Sequence, residues 1–256
     1  MSAFDGYADY YELFYKEKDY ASEAGYALSH LRCHGSRGTN LLELGCGTGS
    51  HAEHFARLGH AVHGVDLSPN MLKAAESKKT VMSQELRARL NFTQGDIRTI
   101  RLEKRFDAVV SLFHVFSYQT TNDDLSAAVA TAAAHLADGG ILLFDFWYGP
   151  AVIRQLPEVR VQRFEDKDVR LTRIAEPVVH VDKNIVDVNY ELLIERKPDG
   201  KLETIRETHS MRYLFIPEIE LLLARHGMEL IGSHAWMKTT APGFDSWNAC
   251  AVARRS

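Results

Sequence analysis

Cysteine is scarce in this sequence. Cys33, Cys46 and Cys250 are scattered among 256 residues, with no Cys-x-x-Cys pair. That excludes a disulfide framework and a cysteine-based zinc module, and it points to a reducing, cytoplasmic setting. No apolar run approaches the roughly 20 residues of a membrane helix, so no membrane role is expected. The opening Met1-Ser2-Ala3-Phe4-Asp5-Gly6-Tyr7 has neither a basic nor an apolar stretch, so no export segment is expected. Charge is nearly balanced: the formal net value is −4, too little to draw the chain to nucleic acid or an anionic membrane. Internal repeats and low-complexity stretches are absent, as is a Gly-Lys-Ser/Thr phosphate loop. Hydrophobic residues make up 45%, enough for a sizeable core in one large domain or a domain with an insertion.

What is present is Leu41-Leu42-Glu43-Leu44-Gly45-Cys46-Gly47-Thr48-Gly49. It reads as a buried strand entering a glycine turn and then a helix. A second strand over 61–66 ends in Asp66. An α/β fold holds an adenosine group this way: glycines let backbone approach the ligand, and the acid takes the ribose hydroxyls. Dinucleotide enzymes space their glycines as G-x-G-x-x-G. Here the pattern is Gly45-x-Gly47-x-Gly49, preceded by Glu43, which resembles motif I of class I methyltransferases that use S-adenosylmethionine (SAM) and release S-adenosylhomocysteine.

The surrounding pattern predicts a helix over 20–33 and strands at 40–45, 61–66, 90–94, 107–113 and 141–145. Helices are expected at about 50–58, from Ser68-Pro69 onward, and at 122–136, the last closed by Asp138-Gly139-Gly140. Near-continuous apolar strands alternating with helices imply a parallel sheet covered on both faces. Beyond about residue 158 the period changes. Val186, Val188, Tyr190, Leu192 and Ile194 alternate with polar residues, and Lys197-Pro198-Asp199-Gly200 marks a turn. A helix over 217–226 and a closing strand pair follow. The expected fold is α/β: a doubly wound, mostly parallel Rossmann-like sheet with an inserted antiparallel β subdomain. Residues 1–157 and 216–256 would form the SAM-binding domain with an N-terminal aromatic cap. Residues 158–215 would form the insertion, for substrate or dimerisation.

The methyltransferase resemblance distributes roles. Gly45, Cys46, Gly47 and Gly49 bring backbone to the methionine part of SAM, and Glu43 accepts from its amine or from the turn. Asp66 takes the ribose diol. Leu67, Met71, Asp96, Ile97 and Leu112 meet adenine or its surroundings; for Met71, plain core packing is the competing reading. After the fourth strand, Ser111-Leu112-Phe113-His114-Val115-Phe116-Ser117-Tyr118 lacks the Pro-Pro-aromatic signature of DNA-base amino methyltransferases, which disfavours nucleic acid. His114 is a candidate acid/base group, or a ring packed on the cofactor. The N-terminal rings Tyr7, Tyr10, Tyr11, Tyr15 and Tyr20 close over the ligand, because a sulfonium is favoured against aromatic faces; Tyr15 and Tyr20 belong to the cofactor side.

Further stretches resemble N-methyltransferases of dTDP-amino sugars. These are Tyr11-Glu12-Leu13-Phe14-Tyr15, Lys18-Asp19-Tyr20, His51-x-Glu53-His54-Phe55 after the glycine turn, Val110–Phe113, Tyr118 with Thr120-Thr121, and His135-Leu136 with Gly139-Gly140. The resemblance implies a small-molecule substrate such as a dTDP-sugar amine. It also implies Tyr11 and Tyr118 near the sugar, and a homodimer through the insertion. Asp145-Phe146-Trp147-Tyr148 departs from the family, so Trp147 and Tyr148 would shape a different acceptor pocket. A diphosphate calls for arginine forks. Arg160, Arg163, Arg170 and Arg173 are candidates, against the plainer reading of surface strand charges. His51-x-x-His54 and His60-x-x-His63 lack a matching ligand set, so no metal is expected. Other readings are methylation of oxygen or nitrogen on another metabolite, a nicotinamide dehydrogenase, and a non-catalytic SAM-binding protein.

Overall fold

The computed structural model describes residues 10–256. Tyr7 lies outside them. Strands β1 (Asn40–Leu44), β2 (Ala61–Asp66), β3 (Leu90–Gln94), β4 (Phe106–Ser111) and β5 (Leu136–Tyr148) pair in parallel in the order β3-β2-β1-β4-β5. At the C-terminal end of the chain, β10 (Met228–Ala235) and β11 (Asn248–Arg255) form an antiparallel pair, and β11 adds to β5 in antiparallel register. Strand order reverses at β1, which lies between β2 and β4. In open α/β sheets, ligands bind beyond the strand C-termini at such a switch point.

Helices α2 (Tyr20–Cys33) and α3 (Ser50–Arg57) cover one face of the sheet; α6 (Asn122–His135) and α8 (Ile216–Arg225) cover the other. The strands alternate between two apolar cores. Leu41, Ala108, Val110 and Leu143 pack toward α2 and α3, while Leu42, Leu44, Val109 and Leu142 pack toward α6 and α8. Two buried faces explain why these strands read as continuous apolar runs. Helix α4 (Pro69–Thr80) starts as its sequence demands, with the Ser68 side chain accepting from the Met71 N–H and Pro69 in the first turn. A short helix α5 (Gln84–Ala88) leads into β3.

Two boundaries differ from expectation. β5 begins at Leu136, because Leu136 already pairs with Phe106; the Asp138-Gly139-Gly140 stretch is an irregularity inside the ladder, with Gly139 at φ 74°. β4 stops at Ser111, because Phe113 and His114 both turn left-handed, at φ 70° and 64°. Left-handed backbone is uncommon outside glycine and marks a held conformation.

After helix α7 (Gly149–Arg154), strands β6 (Arg160–Glu165), β7 (Val169–His180), β8 (Ile185–Arg196) and β9 (Leu202–Leu214) form an antiparallel meander. It joins the main sheet where Trp147 and Tyr148 pair in parallel with Tyr213 and Leu214. This end of the meander is therefore held in register with the end of β5. Helix α1 (Tyr11–Phe14) seats its Phe14 against Leu171, Leu192 and Ile194 of the meander. No helix among the described residues is long and apolar enough to cross a membrane.

Candidate active site

A cavity of about 530 Å³ opens at the C-terminal ends of β1, β2 and β4. Gly45, Cys46, Gly47, Asp66, Leu67, Met71, Asp96, Ile97 and Leu112 line one end of it. His114, Tyr118 and Trp147 lie along it, and Tyr11, Tyr15 and Tyr20 also border it. Glu43, Gly49, Tyr148 and Arg173 are not among its lining residues.

The glycine turn divides its labour. A Cβ on Gly45 would strike both Val115 methyl carbons at 2.5 Å, and one on Gly49 would strike the Phe92 ring at 2.9 Å. These two glycines allow close packing. A Cβ on Gly47 would meet nothing within 4 Å, yet Gly47 borders the cavity with φ 52°. Its missing side chain leaves a backbone cradle open to a ligand. Asp66 anchors that cradle: one carboxylate oxygen accepts from the Gly47 N–H at 2.8 Å and the other from the Ser68 N–H at 2.9 Å. Each oxygen keeps a lone pair for a further donor, as a ribose diol requires. Burial raises the Asp66 pKa from its ordinary value, with the backbone donors opposing it. The open cradle and the half-buried acid fit an adenosyl ligand.

Glu43 sits underneath, 1% exposed, with Oε2 lacking a hydrogen-bond partner and Oε1 3.7 Å from His51 Nδ1. Its pKa is held well above the usual carboxylate range, first by burial and then by Asp66. His51 Nε2 bonds Glu23 Oε2 at 2.7 Å, and Lys18 pairs with the same Glu23. His51 itself borders the cavity, above the buried Glu43. Asp96 is gripped by its neighbour Arg98 through the side chain and the backbone N–H, and Arg98 also reaches Asp124 at 2.8 Å.

The aromatic cap is tied to the glycine turn. Glu12 accepts from Thr48 Oγ1 at 2.5 Å and from Lys78 Nζ at 2.8 Å, and Lys78 also donates to Ser50. Tyr15 meets the Phe113 ring edge-on at 4.8 Å, and Tyr11 meets Tyr15 at 4.8 Å. Tyr11 is hydrogen-bonded to Tyr20, and burial is the main cause that pushes the pKa of both phenols upward. Both stay neutral, polar and able to orient a donor or acceptor.

At the other end, His114 projects from the left-handed turn. Its N–H donates to Asp145 Oδ1 at 2.9 Å, and its Nδ1 lies 2.8 Å from Asp145 Oδ2, out of line for a hydrogen bond. Tyr118, in a 3-10 turn over Val115–Tyr118, shares a 3.0 Å hydrogen bond with His209 Nδ1. Burial raises the Tyr118 pKa well above 10; it lowers that of His209, with Glu207 opposing. His209, Tyr190, Arg160 and Trp247 complete this end. Sequence reading missed His209 and Tyr190 as site residues; the alternation over 186–194 put Tyr190 on a strand face without showing what that face would meet, and nothing in the spacing marked His209. Asp145 was visible only as part of an unusual Asp-Phe-Trp-Tyr run.

Arg173 is 9% exposed and does not reach out as a fork for phosphate. Its guanidinium packs against the Phe14, Tyr15, Phe164 and Tyr190 rings at 4.9–5.9 Å and bonds Gln162. Among the four arginines considered for a diphosphate, Arg160 is the one that borders the cavity.

A family model described as a methyltransferase domain matches residues 41–140. The chain is 32% identical over 225 residues to a dTDP-3-amino-3,6-dideoxy-alpha-D-glucopyranose N,N-dimethyltransferase of Streptomyces fradiae, an alignment covering 87% of this chain and 84% of that protein. It is 39% identical over 146 residues to dTDP-3-amino-3,4,6-trideoxy-alpha-D-glucopyranose N,N-dimethyltransferase of Streptomyces venezuelae; that match spans 56% of this chain and 58% of the relative. The crystal structure of Streptomyces venezuelae DesVI superposes with a TM-score of 0.79 at 26% identity, covering 98% of each chain. The fold and site define a class I SAM-dependent methyltransferase. The chain belongs to the family that contains the dTDP-amino-sugar N,N-dimethyltransferases.

Proposed function

We propose that this protein methylates the amine of a nucleotide-linked amino sugar, with a dTDP-sugar as the first candidate. One observation carries the proposal: a single cavity runs from the Gly47–Asp66 cradle to a polar end formed by His114, Tyr118, His209 and Arg160. Both reactants therefore meet inside one enclosure. A relative named for this chemistry, aligned over 84% of its length, supports the reading.

SAM supplies an electrophilic methyl group on a sulfonium sulfur. Gly45, Gly47 and Asp66 hold its methionine and ribose portions, and Leu67, Met71, Asp96, Ile97 and Leu112 receive adenine. Cys46 and Gly49 shape the turn, and Glu43 acts from beneath it through His51. Tyr15 and Tyr20 face the cation. Rate acceleration of this kind comes mostly from alignment, with reacting atoms about 3–3.5 Å apart. A sugar amine is largely protonated at neutral pH, so a base must take its proton before attack. His114 is that base in the proposal. Asp145 holds its backbone N–H and faces Nδ1, which leaves Nε2 for the amine proton. Tyr11 and Tyr118 orient the sugar, with the Tyr118 hydroxyl positioned by His209. Trp147 limits the pocket, with Tyr148 behind the lining, and Arg160 meets the diphosphate.

The outer strand β6 carries half-exposed Val161, and Val159 just before it is 60% exposed. We assign homodimer contact to this edge of the meander, testable by light scattering. Free Cys33, Cys46 and Cys250 fit the cytoplasm as its location. The deciding experiment incubates the protein with SAM and a panel of dTDP-amino sugars. Methylated sugar plus S-adenosylhomocysteine supports the reading. Turnover of another metabolite alone would move the acceptor elsewhere, and SAM binding with no turnover of any acceptor would overturn catalysis.

A further inference from the structure

Three histidines meet away from the cavity. His30 and His34 stand one turn apart at the C-terminal end of α2, and His234 lies near the end of β10. Each offers a ring nitrogen, and these atoms all lie within 4.8 Å of one another. The His30 and His234 ring centroids are 4.5 Å apart, and the His30 and His34 rings stack at 6.4 Å.

The tautomer of His234 follows from its partner. Its Nδ1 is 3.2 Å from the Thr239 carbonyl oxygen, which can only accept, so Nδ1 carries the proton. Nε2 is then a lone-pair nitrogen, and it is buried without a hydrogen-bond partner. Metal-bound histidines are oriented by this kind of bond from the distal N–H to a carbonyl. Gly232 makes room for the convergence: a Cβ there would lie 3.1 Å from His234 Nε2 and 3.4 Å from His34 Nε2. Two ring nitrogens on separate elements thus converge on a position cleared by glycine. Arg254 donates to the His34 carbonyl oxygen at 2.9 Å, tying the end of α2 to β11.

We propose that His30, His34 and His234 form a three-imidazole site for a divalent transition metal such as Zn²⁺, clamping the end of α2 to β10. Imidazole sets favour zinc, copper, nickel and iron, and three histidines leave one position for water. The ring nitrogens, up to 4.8 Å apart, need to close by as much as about 1.5 Å to reach the roughly 3.3 Å spacing of a tetrahedral site with Zn–N bonds of roughly 2.0–2.1 Å; rotation of the partly buried His34 ring is the movement that brings them in. Sequence spacing conceals the site, because His234 comes from the far end of the chain. The role is structural: α2 carries Tyr20 and Glu23 at its other end, so the clamp fixes the helix that borders the cavity.

The test uses untagged, chelator-treated full-length protein, with Zn²⁺ followed by calorimetry and Co²⁺ by its visible absorption. One metal per chain is expected, with tetrahedral-type cobalt bands and a Tm rise of about 5–10 °C at saturating Zn²⁺. His34→Gln and His234→Gln should each weaken binding at least tenfold and abolish the Tm rise, while His180→Gln, on the meander, should change neither. Metal-free Tm values check that the variants fold. No saturable binding to wild type, or binding that persists in both His34→Gln and His234→Gln, would overturn the site and leave three packed neutral rings.

Discussion

Asp145 holds His114 by its backbone and faces it with its second oxygen: Oδ1 accepts the His114 N–H at 2.9 Å while Oδ2 stands 2.8 Å from Nδ1. The carboxylate is 1% exposed, so it is shielded from bulk water while the His114 ring borders the cavity. His114 should therefore depend on Asp145 for both the left-handed turn and the aim of its ring. His114→Asn keeps a residue that tolerates φ 64° but removes the base. Its kcat with an amino-sugar acceptor should fall about 10²–10⁴-fold, with the SAM dissociation constant within a few fold of wild type. Asp145→Asn should lower kcat less. Unchanged turnover in His114→Asn would assign proton removal to another group.

Asp66 makes two backbone hydrogen bonds and, in the proposal, a third set to ribose. Replacing it with alanine should cost SAM about 1.5–3 kcal/mol, the range for hydrogen bonds to a charged group, or roughly ten- to hundredfold in affinity by calorimetry. A folded Asp66→Ala protein with native SAM affinity would remove the ribose role.

Gly45 and Gly47 should separate folding from binding. Gly45→Ala drives a methyl into Val115 and strains a φ of 77°, so its Tm should drop clearly. Gly47→Ala meets open space and strains φ by about 1–2 kcal/mol, a fall of only a few degrees, yet the new methyl projects into the cradle. Calorimetry should find SAM binding largely lost in a protein that still folds.

Tyr118→Phe removes the hydroxyl bonded to His209 but keeps the ring. With Tyr118 orienting the acceptor, the acceptor KM should rise about five- to tenfold, the worth of one hydrogen bond of about 1–1.5 kcal/mol, while SAM affinity stays unchanged. A shift in SAM affinity instead would move Tyr118 to the cofactor side.

Glu43 ties stability to pH. Burial raises its folded-state pKa above an unfolded value of about 4.3, so the folded protein binds the proton more tightly. That contribution is complete below the unfolded pKa and is lost as pH rises through the folded one. Glu43→Gln lacks the titration. The Tm of wild type relative to Glu43→Gln should fall as pH rises above the unfolded value; a difference that stays constant with pH would show that Glu43 does not titrate as the buried acid.

Local chemistry made much of the fold legible. Ser68-Pro69 starts α4, Gly227 follows α8 with φ 67°, and Lys197–Gly200 turns β8 into β9; each depends on the backbone preference of a few adjacent residues. The glycine turn and Asp66 were readable for the same reason: a tight approach needs residues without side chains at fixed spacing. The start of β5 was not readable, because the Leu136–Phe106 pairing sets it; nor was the end of β4, because Phe113 and His114 have no intrinsic reason to turn left-handed. They do so because Asp145, on a neighbouring strand, supplies the acceptor.

The sequence by itself determined the order of strands and helices, the two-faced parallel sheet and the nucleotide turn, since all of these follow from apolar periodicity and glycine placement. Only the tertiary structure decided which polar side chains meet. Asp145 against His114, His209 against Tyr118, Arg173 among four rings, and His234 beside His30 and His34 are each brought together across separate elements. The physical reason is that strand pairing and helix docking set such contacts, and neither leaves a signature in the spacing of the residues that finally touch.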